Sequence, residues 1–193
     1  TGDIIDRGSD VEQWAAMEPV LARLRVPLYA TTGNHELNGD GGLEYHRRLG
    51  RMNYAFDYHG TRFALADSGS VTLAPRVFDY LDDQLAADGA ALRVFMTHIP
   101  LFDSSGIRNG GFSSRLEAER ILAMMARNGV DLTLYGHVHS LEVFSNARIP
   151  AIISGGGGGT DNAFDGIGDH FLVVTADPLQ RRAEAVVRVA RPE

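Results

Sequence analysis

Short apolar runs alternate with longer amphipathic stretches along the chain, and this alternation constrains the fold more than any other feature. The short runs have the length and residue types of β-strands; they are residues 26–31, 54–58, 62–66, 92–97, 131–135, 149–154, 171–175 and 183–189. The longer stretches have the apolar spacing of helices; they are residues 11–24, 42–49, 75–87 and 114–127. Such a mixture predicts an α/β domain of mixed β-sheets with helices outside them.

Capping and turn residues mark several boundaries of these elements. Ser114, followed three residues later by Glu117, is typical of a capping box at a helix start, and Gly129 is placed to end that helix. Pro19 lies inside the first helical stretch, where we expect it to kink or split the helix. The pair Asp177-Pro178 between the last two apolar runs predicts the turn of a hairpin.

Length and composition exclude several classes of protein. The 193 residues predict one domain over residues 1–193, with a core large enough to need no disulfides. The absence of cysteine excludes thiol catalysis and thiolate zinc sites, and the absence of lysine excludes a Schiff-base mechanism. The formal charge of −7 argues against binding to a nucleic-acid backbone, and no apolar run is long enough to span a membrane. No sequence feature identifies a protein partner.

Side chains of metal-binding types follow three apolar runs and also lie at the chain start. They occur in residues 2–8 (GDIIDRG), 33–36 (GNHE), 97–100 (THIP) and 136–139 (GHVH). Because the carboxyl ends of parallel strands meet at one edge of an α/β sheet, one carboxylate, one amide and three imidazoles can converge there. Oxygen and nitrogen donors without thiolates suit zinc, manganese or iron. The flanking glycines let the backbone turn sharply beside such a site.

Two glycine-containing loops allow more than one interpretation. Residues 155–159 (GGGGG) follow a predicted strand, which fits a phosphate-binding loop or, as we favour, a tight loop that passes close to other groups. The segment 101–113 comes directly after His98 and contains Arg108. This arginine either binds a phosphate group of the substrate or belongs to a solvated surface loop.

Taken together, the GDxxDRG, GNHE, single-histidine and GHxH segments resemble the successive motifs of the calcineurin-like metallophosphoesterase family. The resemblance covers nearly the whole chain, and residues 53–58 and 66–68 are similar to bacterial phosphodiesterase and phosphatase members. The family fold is a pair of mixed β-sheets sandwiched between helices. The resemblance implies metal-dependent hydrolysis of a small phosphoester, with two divalent ions (Mn, Fe or Zn) as cofactors in the complete enzyme.

The resemblance also implies which residues bind the ions. Asp3 would bridge both ions, while Asn34, His98 and His137 would complete one site. His139 would serve the other site. Two neighbouring ions of this kind clamp a phosphoryl group and lower the pKa of a bridging water.

The same resemblance implies the acid and the substrate contacts. His35 would be the general acid that protonates the leaving group, held in position by Asp6, while a metal-activated hydroxide attacks phosphorus. Arg7 resembles a phosphate-binding arginine of the protein-phosphatase branch, and Arg108 is a second candidate for substrate binding. The linking segments favour a phosphodiester over a phosphomonoester.

The sequence departs from the family pattern at its start. The family carries an Asp-x-His segment on a first strand ahead of the GD motif, and no such segment precedes Thr1. We therefore expect an N-terminally truncated domain that lacks its first strand and binds one ion firmly and the second poorly or not at all. The alternative to an enzyme is a catalytically impaired metal-binding or scaffold domain.

Overall fold

The structure, a computed structural model, describes residues 1–103, 106, 110–160 and 166–190. These residues form four α-helices, which are α1 (Val11–Leu21), α2 (Gly41–Leu49), α3 (Pro75–Ala86) and α4 (Arg115–Arg127). They also form eight strands, which are β1 (Tyr54–Tyr58), β2 (Thr61–Ala66), β3 (Leu92–Thr97), β4 (Leu132–Tyr135), β5 (Leu141–Asn146), β6 (Ile149–Ser154), β7 (His170–Asp177) and β8 (Arg182–Val189). A short 3-10 helix, Asn38–Asp40, precedes α2.

Six of the strands form one mixed sheet in the order β1-β2-β3-β4-β6-β5. The four inner strands run parallel, and the edge strands β1 and β5 pair antiparallel with β2 and β6. The carboxyl ends of the inner strands therefore share one edge of the sheet, which is where open α/β sheets bind ligands. The segments that follow β3 and β4 at this edge begin with His98 and Gly136.

The two faces of this sheet are covered by different layers. Helices α3 and α4 pack on one face, where Leu81, Leu85 and Ile121 join Phe95 of β3 in the main core. The antiparallel pair β7-β8 packs on the other face, where side chains such as Leu172 contact the second side of the sheet. The predicted α/β class with two sheets and flanking helices is thus confirmed. The second sheet consists of two antiparallel strands in the part of the chain that the structure describes.

A smaller core next to the sheet supports the start of the chain. Trp14 of α1 is 1% exposed and packs with Ile5, Ala30 and Tyr45 of α2. Its indole Nε1 donates a hydrogen bond of 2.9 Å to the carbonyl oxygen of Gly8. Helix α1 and the loop that precedes it are therefore fixed to each other.

The helix predictions are confirmed with small differences at the ends. Helix α1 ends at Leu21 instead of residue 24, and Pro19 lies in its last turn without splitting it. Ser114 caps α4 by accepting the amide of Glu117, and Gly129 after its end has a φ of +66°. The capping box is half formed, because the Glu117 carboxylate accepts from the hydroxyl and amide groups of residues 72 and 73.

One strand prediction is wrong, and one strand of the structure was not predicted. Residues 26–31 form an irregular segment without ladder partners among the described strands, and the carbonyl of Ala30 accepts from the hydroxyls of Tyr45 and Tyr54 instead. Pro27 in this segment has no amide hydrogen to donate to a neighbouring strand. Strand β5 was not predicted, because its sequence LEVFSN has polar residues at half of its positions and lies at the sheet edge.

The Asp177-Pro178 hairpin is confirmed, since it joins β7 to β8.

None of the described helices has the length and apolar character needed to cross a membrane.

Candidate metal centre

Side chains with oxygen and nitrogen donors converge at the carboxyl edge of the six-stranded sheet. His98 follows β3 directly, and His137 comes two residues after the end of β4. Asp3 belongs to the loop before α1, and Asn34 follows the irregular segment that includes Ala30. Parallel neighbours in the sheet bring the two histidines together, and the two loops bring the carboxylate and the amide to them.

The distances within this group are short enough for shared binding of one ion. The Oδ2 atom of Asp3 lies 3.0 Å from Nε2 of His98. The Oδ1 atom of Asn34 lies 3.1 Å from Nε2 of His98 and 2.9 Å from Nδ1 of His137. One ligand atom from each of Asp3, His98 and His137 can be chosen so that all three lie within 4.8 Å of one another. The structure therefore brings together four of the five residues that the sequence analysis named as metal ligands.

A backbone contact orients the buried His98 ring toward the group. Its Nδ1 lies 2.6 Å from the carbonyl oxygen of Thr1, which can only accept a hydrogen bond, so Nδ1 carries the hydrogen. The other ring nitrogen, Nε2, then faces Asp3 and Asn34. Ligand histidines in metal sites are commonly fixed by this kind of outer hydrogen bond.

The carboxylate of Asp3 is ionised in spite of its surroundings. Partial burial raises its pKa, but the hydrogen bond and charge of His98 and the amide of His35 outweigh burial and lower the pKa below 3.8. The His35 amide donates to Asp3 Oδ1 over 3.1 Å. A carboxylate that carries its full negative charge is suited to bind a divalent cation.

Two members of the group have left-handed backbone conformations. Asp3 has a φ of +53° and His137 a φ of +65°, both uncommon for residues with a side chain. Gly33 is required beside them, because a Cβ atom there would lie 2.1 Å from Asp3 Oδ1. Outlying conformations of this kind are found where a site demands a particular side-chain direction.

Glu36 holds the Asp3 loop in this conformation, and the sequence analysis missed its role. Its side chain is fully buried and accepts hydrogen bonds from four backbone amides. They are those of Asp3 at 2.8 Å, Ile4 at 2.6 Å, Ile5 at 3.2 Å and Gly33 at 2.7 Å. The signal for this role was present, since Glu36 is the last residue of the GNHE segment.

His35 and Asp6 form a pair beside the metal-binding group. The Nδ1 atom of His35 lies 2.7 Å from the carbonyl oxygen of Asp6 and 3.2 Å from its Oδ1. Partial burial lowers the pKa of His35, but the Asp6 carbonyl and the charges of Asp3 and Asp6 outweigh it and raise the pKa above 6.5. The ring is 37% exposed, so it is accessible to a substrate. With Nδ1 donating to Asp6, Nε2 is the atom left to face that substrate.

Two other predicted site residues, His139 and Arg7, do not belong to the group of converging donors. Within the described part of the chain, His139 is not part of that group, and its Nδ1 lies 2.8 Å from the carbonyl oxygen of Thr160. Arg7 is exposed next to Asp6 on the same loop. Arg108 lies outside the described residues.

The glycine run serves close packing, as favoured from the sequence. A Cβ atom on Gly155 would lie 2.0 Å from the carbonyl oxygen of Val138, and one on Gly159 would lie 2.7 Å from the ring of His139. The run therefore lets the backbone pass directly against the GHVH segment.

The donor set fits a divalent transition metal. Asp3, Asn34, His98 and His137 supply two oxygens and two imidazole nitrogens, and four donors of these types suit zinc, manganese or iron. A second ion would have Asp3 and His139 as its described candidate ligands, fewer than the three protein ligands usual at a catalytic zinc site.

Comparisons with known proteins agree with this description. The sequence profile of the calcineurin-like phosphoesterase family matches residues 1–141. No curated protein sequence gives a significant match.

Solved structures of low sequence identity share the fold. The chain is similar to a purple acid phosphatase from yellow lupin (Lupinus luteus) seeds, with 19% identity and a TM-score of 0.68 over 83% of this chain and 36% of that one. It is similar to a dimetal phosphatase from Danio rerio, with 16% identity and a TM-score of 0.65 over 80% and 70% of the two chains. It is also similar to GAP50, the anchor in the inner membrane complex of Plasmodium, with 16% identity and a TM-score of 0.60 over 82% and 61%. The chain thus spans 36% of the length of the lupin protein.

Proposed function

The chain belongs to the calcineurin-like phosphoesterase family, and from this we propose that it hydrolyses phosphoesters with the help of a divalent metal ion. The observation that carries the proposal is the position of the His35–Asp6 pair next to the converging donors of Asp3, Asn34 and His98. In this proposal a cation and a proton donor act side by side at one edge of the sheet. Phosphoester hydrolysis needs both, because negative charge and a leaving group must be stabilised together.

We assign Asp3, Asn34, His98 and His137 to the metal. A divalent ion in such a site neutralises charge on phosphoryl oxygens and lowers the pKa of a water molecule bound to it. Glu36 keeps the Asp3 carboxylate in place through the amides of the loop. His139 serves a second ion in this proposal.

His35 is the general acid in this proposal. Its raised pKa keeps a larger fraction of the ring protonated near neutral pH than an ordinary histidine would have. The Nδ1 hydrogen bond to Asp6 leaves Nε2 to donate its proton to the departing oxygen of the substrate. Arg7 and Arg108 bind the substrate phosphate through charge-assisted hydrogen bonds. A phosphodiester is the favoured substrate over a phosphomonoester.

Substitution of His35 tests this assignment. His35→Ala is expected to bind as much metal as the wild type and to hydrolyse methyl phenyl phosphate about 10²- to 10⁴-fold more slowly, because general acid catalysis is lost. His46→Ala is the matched control, since His46 is exposed on α2 and bonds to the carbonyl of Gly50. Metal content is measured by elemental analysis and turnover by phenol release. Equal turnover in His35→Ala and wild type would contradict the role of His35.

A metal-binding domain without catalysis is the second candidate function. It is favoured by the position of His139, which lies apart from the other donors and leaves the second ion with few described ligands. Stoichiometric metal binding with no turnover of any mono- or diester would support this candidate. Metal-dependent turnover that His35→Ala abolishes would support the enzyme.

A further inference from the structure

The loop that carries Asp3, Asp6 and Arg7 is held by side chains from outside it. Residues 3–8 form no regular helix or strand, yet each of their six backbone amides donates a hydrogen bond. Glu36 accepts from residues 3, 4 and 5, and the carbonyl of His35 accepts from Gly8 over 2.9 Å. The two amides between them, those of Asp6 and Arg7, both donate to Oε1 of Gln13 over 3.0 Å.

Gln13 itself is fixed by the start of helix α1. Asp10 caps the helix and accepts the amides of Glu12 at 2.9 Å and Gln13 at 3.2 Å. The next residue, Trp14, is buried and bonds to the carbonyl of Gly8. The backbone of Gln13 is therefore anchored on both sides, and its side chain reaches back over the loop from a rigid element.

One peptide group links Gln13 to the proposed general acid. The carbonyl of Asp6 and the amide of Arg7 belong to the same planar peptide unit, and in a trans peptide they point in opposite directions. Gln13 accepts from the amide end at 3.0 Å, and His35 Nδ1 donates to the carbonyl end at 2.7 Å. Fixing the amide end of this plane therefore fixes the direction of the carbonyl that orients the imidazole.

We propose that Gln13 is a positioning residue for His35, acting through the Asp6–Arg7 peptide group. The catalytic part of this inference rests on the proposed function, because it takes His35 as the general acid. Gln13 orients the His35 ring and sets the Nδ1–H tautomer, and it leaves the metal ligands untouched. Glu36 performs the separate task of fixing the metal-binding end of the same loop.

Three variants separate this role from a merely structural one. Gln13→Met keeps the size of the side chain and removes the acceptor, whereas Gln13→Glu keeps an acceptor oxygen for both amides. Glu12→Met is the matched control, because Glu12 is exposed one residue earlier in the same helical turn.

The first measurement is the ¹⁵N NMR spectrum of the His35 ring in the zinc-loaded protein, assigned with His35→Ala. In the wild type and in Gln13→Glu we expect the hydrogen on Nδ1, and in Gln13→Met we expect a mixture of the two tautomers. An Nδ1–H tautomer that is unchanged in Gln13→Met would overturn the proposal. This measurement needs no turnover, so it decides the role of Gln13 even if the protein hydrolyses no phosphoester.

The second measurement compares substrates with good and poor leaving groups. For methyl phenyl phosphate, whose leaving group needs a proton, Gln13→Met is expected to lower kcat about three- to tenfold. For bis(4-nitrophenyl) phosphate the loss is expected to be less than about twofold, because nitrophenolate leaves without a proton. Gln13→Glu restores kcat, and zinc affinity is the same in all variants. An equal loss for both substrates, or a loss of zinc affinity, would assign Gln13 a structural role and contradict the proposal.

Discussion

Glu36 determines the shape of the metal centre although it contacts no ion in our assignment. Its buried carboxylate accepts hydrogen bonds from the amides of residues 3–5 in the first loop and from the amide of Gly33. Asp3 is held by these bonds in a left-handed conformation that points its carboxylate at His98. A single side chain thus accepts the backbone hydrogen bonds that neighbouring strands accept elsewhere in the fold.

Replacing Glu36 is therefore expected to affect both stability and metal binding. Glu36→Gln keeps the shape, but it removes the charge and replaces one of the two acceptor oxygens with an NH2 donor, so two of the four amides lose their acceptor. This predicts a loss of about 2–4 kcal/mol in the free energy of unfolding. Metal affinity, measured by calorimetry, falls with it. The matched control is Glu119→Gln, since Glu119 pairs with Arg115 at an exposed i,i+4 position, and such pairs contribute about 0.5 kcal/mol. Equal losses in the two variants, measured by urea unfolding, would contradict this account of Glu36.

His35 and Asp3 have pKa values shifted in opposite directions, so they stabilise the fold in different pH ranges. The raised pKa of His35 gives stability that is complete below its unfolded value and is lost as the pH rises through the folded value. The lowered pKa of Asp3 gives stability that is present above 3.8 and is lost as the pH falls through its folded value.

The cause assigned to the His35 shift can be tested by titration. In the metal-free protein, NMR is expected to show His35 titrating above 6.5, and Asp6→Asn is expected to lower that pKa because a negative charge is removed. Asp10→Asn is the control, because it removes a charge from the same loop and keeps a good helix cap. The same lowering in both variants would show that the specific contact with Asp6 is unimportant.

Sequence patterns predicted the residues that meet at the metal centre better than those that support it. His98 and His137 follow buried strands, and the convergence of strand ends is a general property of α/β sheets. Gln13 and Glu36 bond to backbone amides, and the direction of an amide in an irregular loop cannot be read from side-chain types. His139 lies outside the group and has its Nδ1 2.8 Å from the carbonyl oxygen of Thr160, and no spacing in the sequence indicates this.

At the level of helices and strands, Arg62 of β2 connects its own strand to β1 and to the end of α3. Its guanidinium makes a paired contact with Asp57 of β1, with both distances 2.7 Å. It also donates to the carbonyls of Gln84 and Ala87 at the end of α3, at 2.8 and 2.6 Å. Carbonyl groups at the C-terminus of a helix have no hydrogen-bond donor within the helix, and this arginine supplies the donors.

Arg62→Lys should weaken this connection without removing the charge. A lysine cannot reproduce the planar fork that serves a carboxylate and two carbonyls together, so we expect a loss of about 1.5–3 kcal/mol in unfolding free energy. Arg182→Lys is the control, because Arg182 makes an exposed pair with Glu184 on β8 and should change stability by less than about 0.5 kcal/mol. Urea unfolding followed by circular dichroism measures both. A loss in Arg62→Lys no larger than in the control would show that the fork is unimportant.

Helices with a regular apolar spacing or a clear capping residue were predictable from the sequence. Strands that depend on pairing with a neighbouring strand were not. The helices α3 and α4 were predicted within one residue at each end, from Pro75 and Ser114 at their starts. The apolar segment 26–31 has the composition of a strand but no ladder partner among the described residues. The composition of strand β5 is not typical of a strand, and the segment forms a strand by pairing with β6. Strand formation depends on a neighbour, which local sequence does not specify.

At the scale of the whole molecule, we expect metal binding and folding to be coupled. The donors come from the first loop and from segments after two strands that are far apart in sequence, so the unfolded chain has no equivalent site. Mn²⁺ at about 100 times its Kd is expected to raise the free energy of unfolding by about 2.7 kcal/mol. His137→Ala is expected to lose most of this gain, and thermal unfolding with and without metal measures it. The same metal-dependent gain in wild type and His137→Ala would place the ion elsewhere.

The central claim is that the group formed by Asp3, Asn34, His98 and His137 supports phosphoester hydrolysis with a divalent ion. The most direct test is the rate of bis(4-nitrophenyl) phosphate hydrolysis by the wild type and by His137→Ala, each with Mn²⁺ and with a chelator. We expect turnover by the wild type with Mn²⁺ and none with the chelator. In His137→Ala we expect the rate of hydrolysis to fall in proportion to the loss of bound metal. Turnover that survives the chelator or is unchanged in His137→Ala would contradict it.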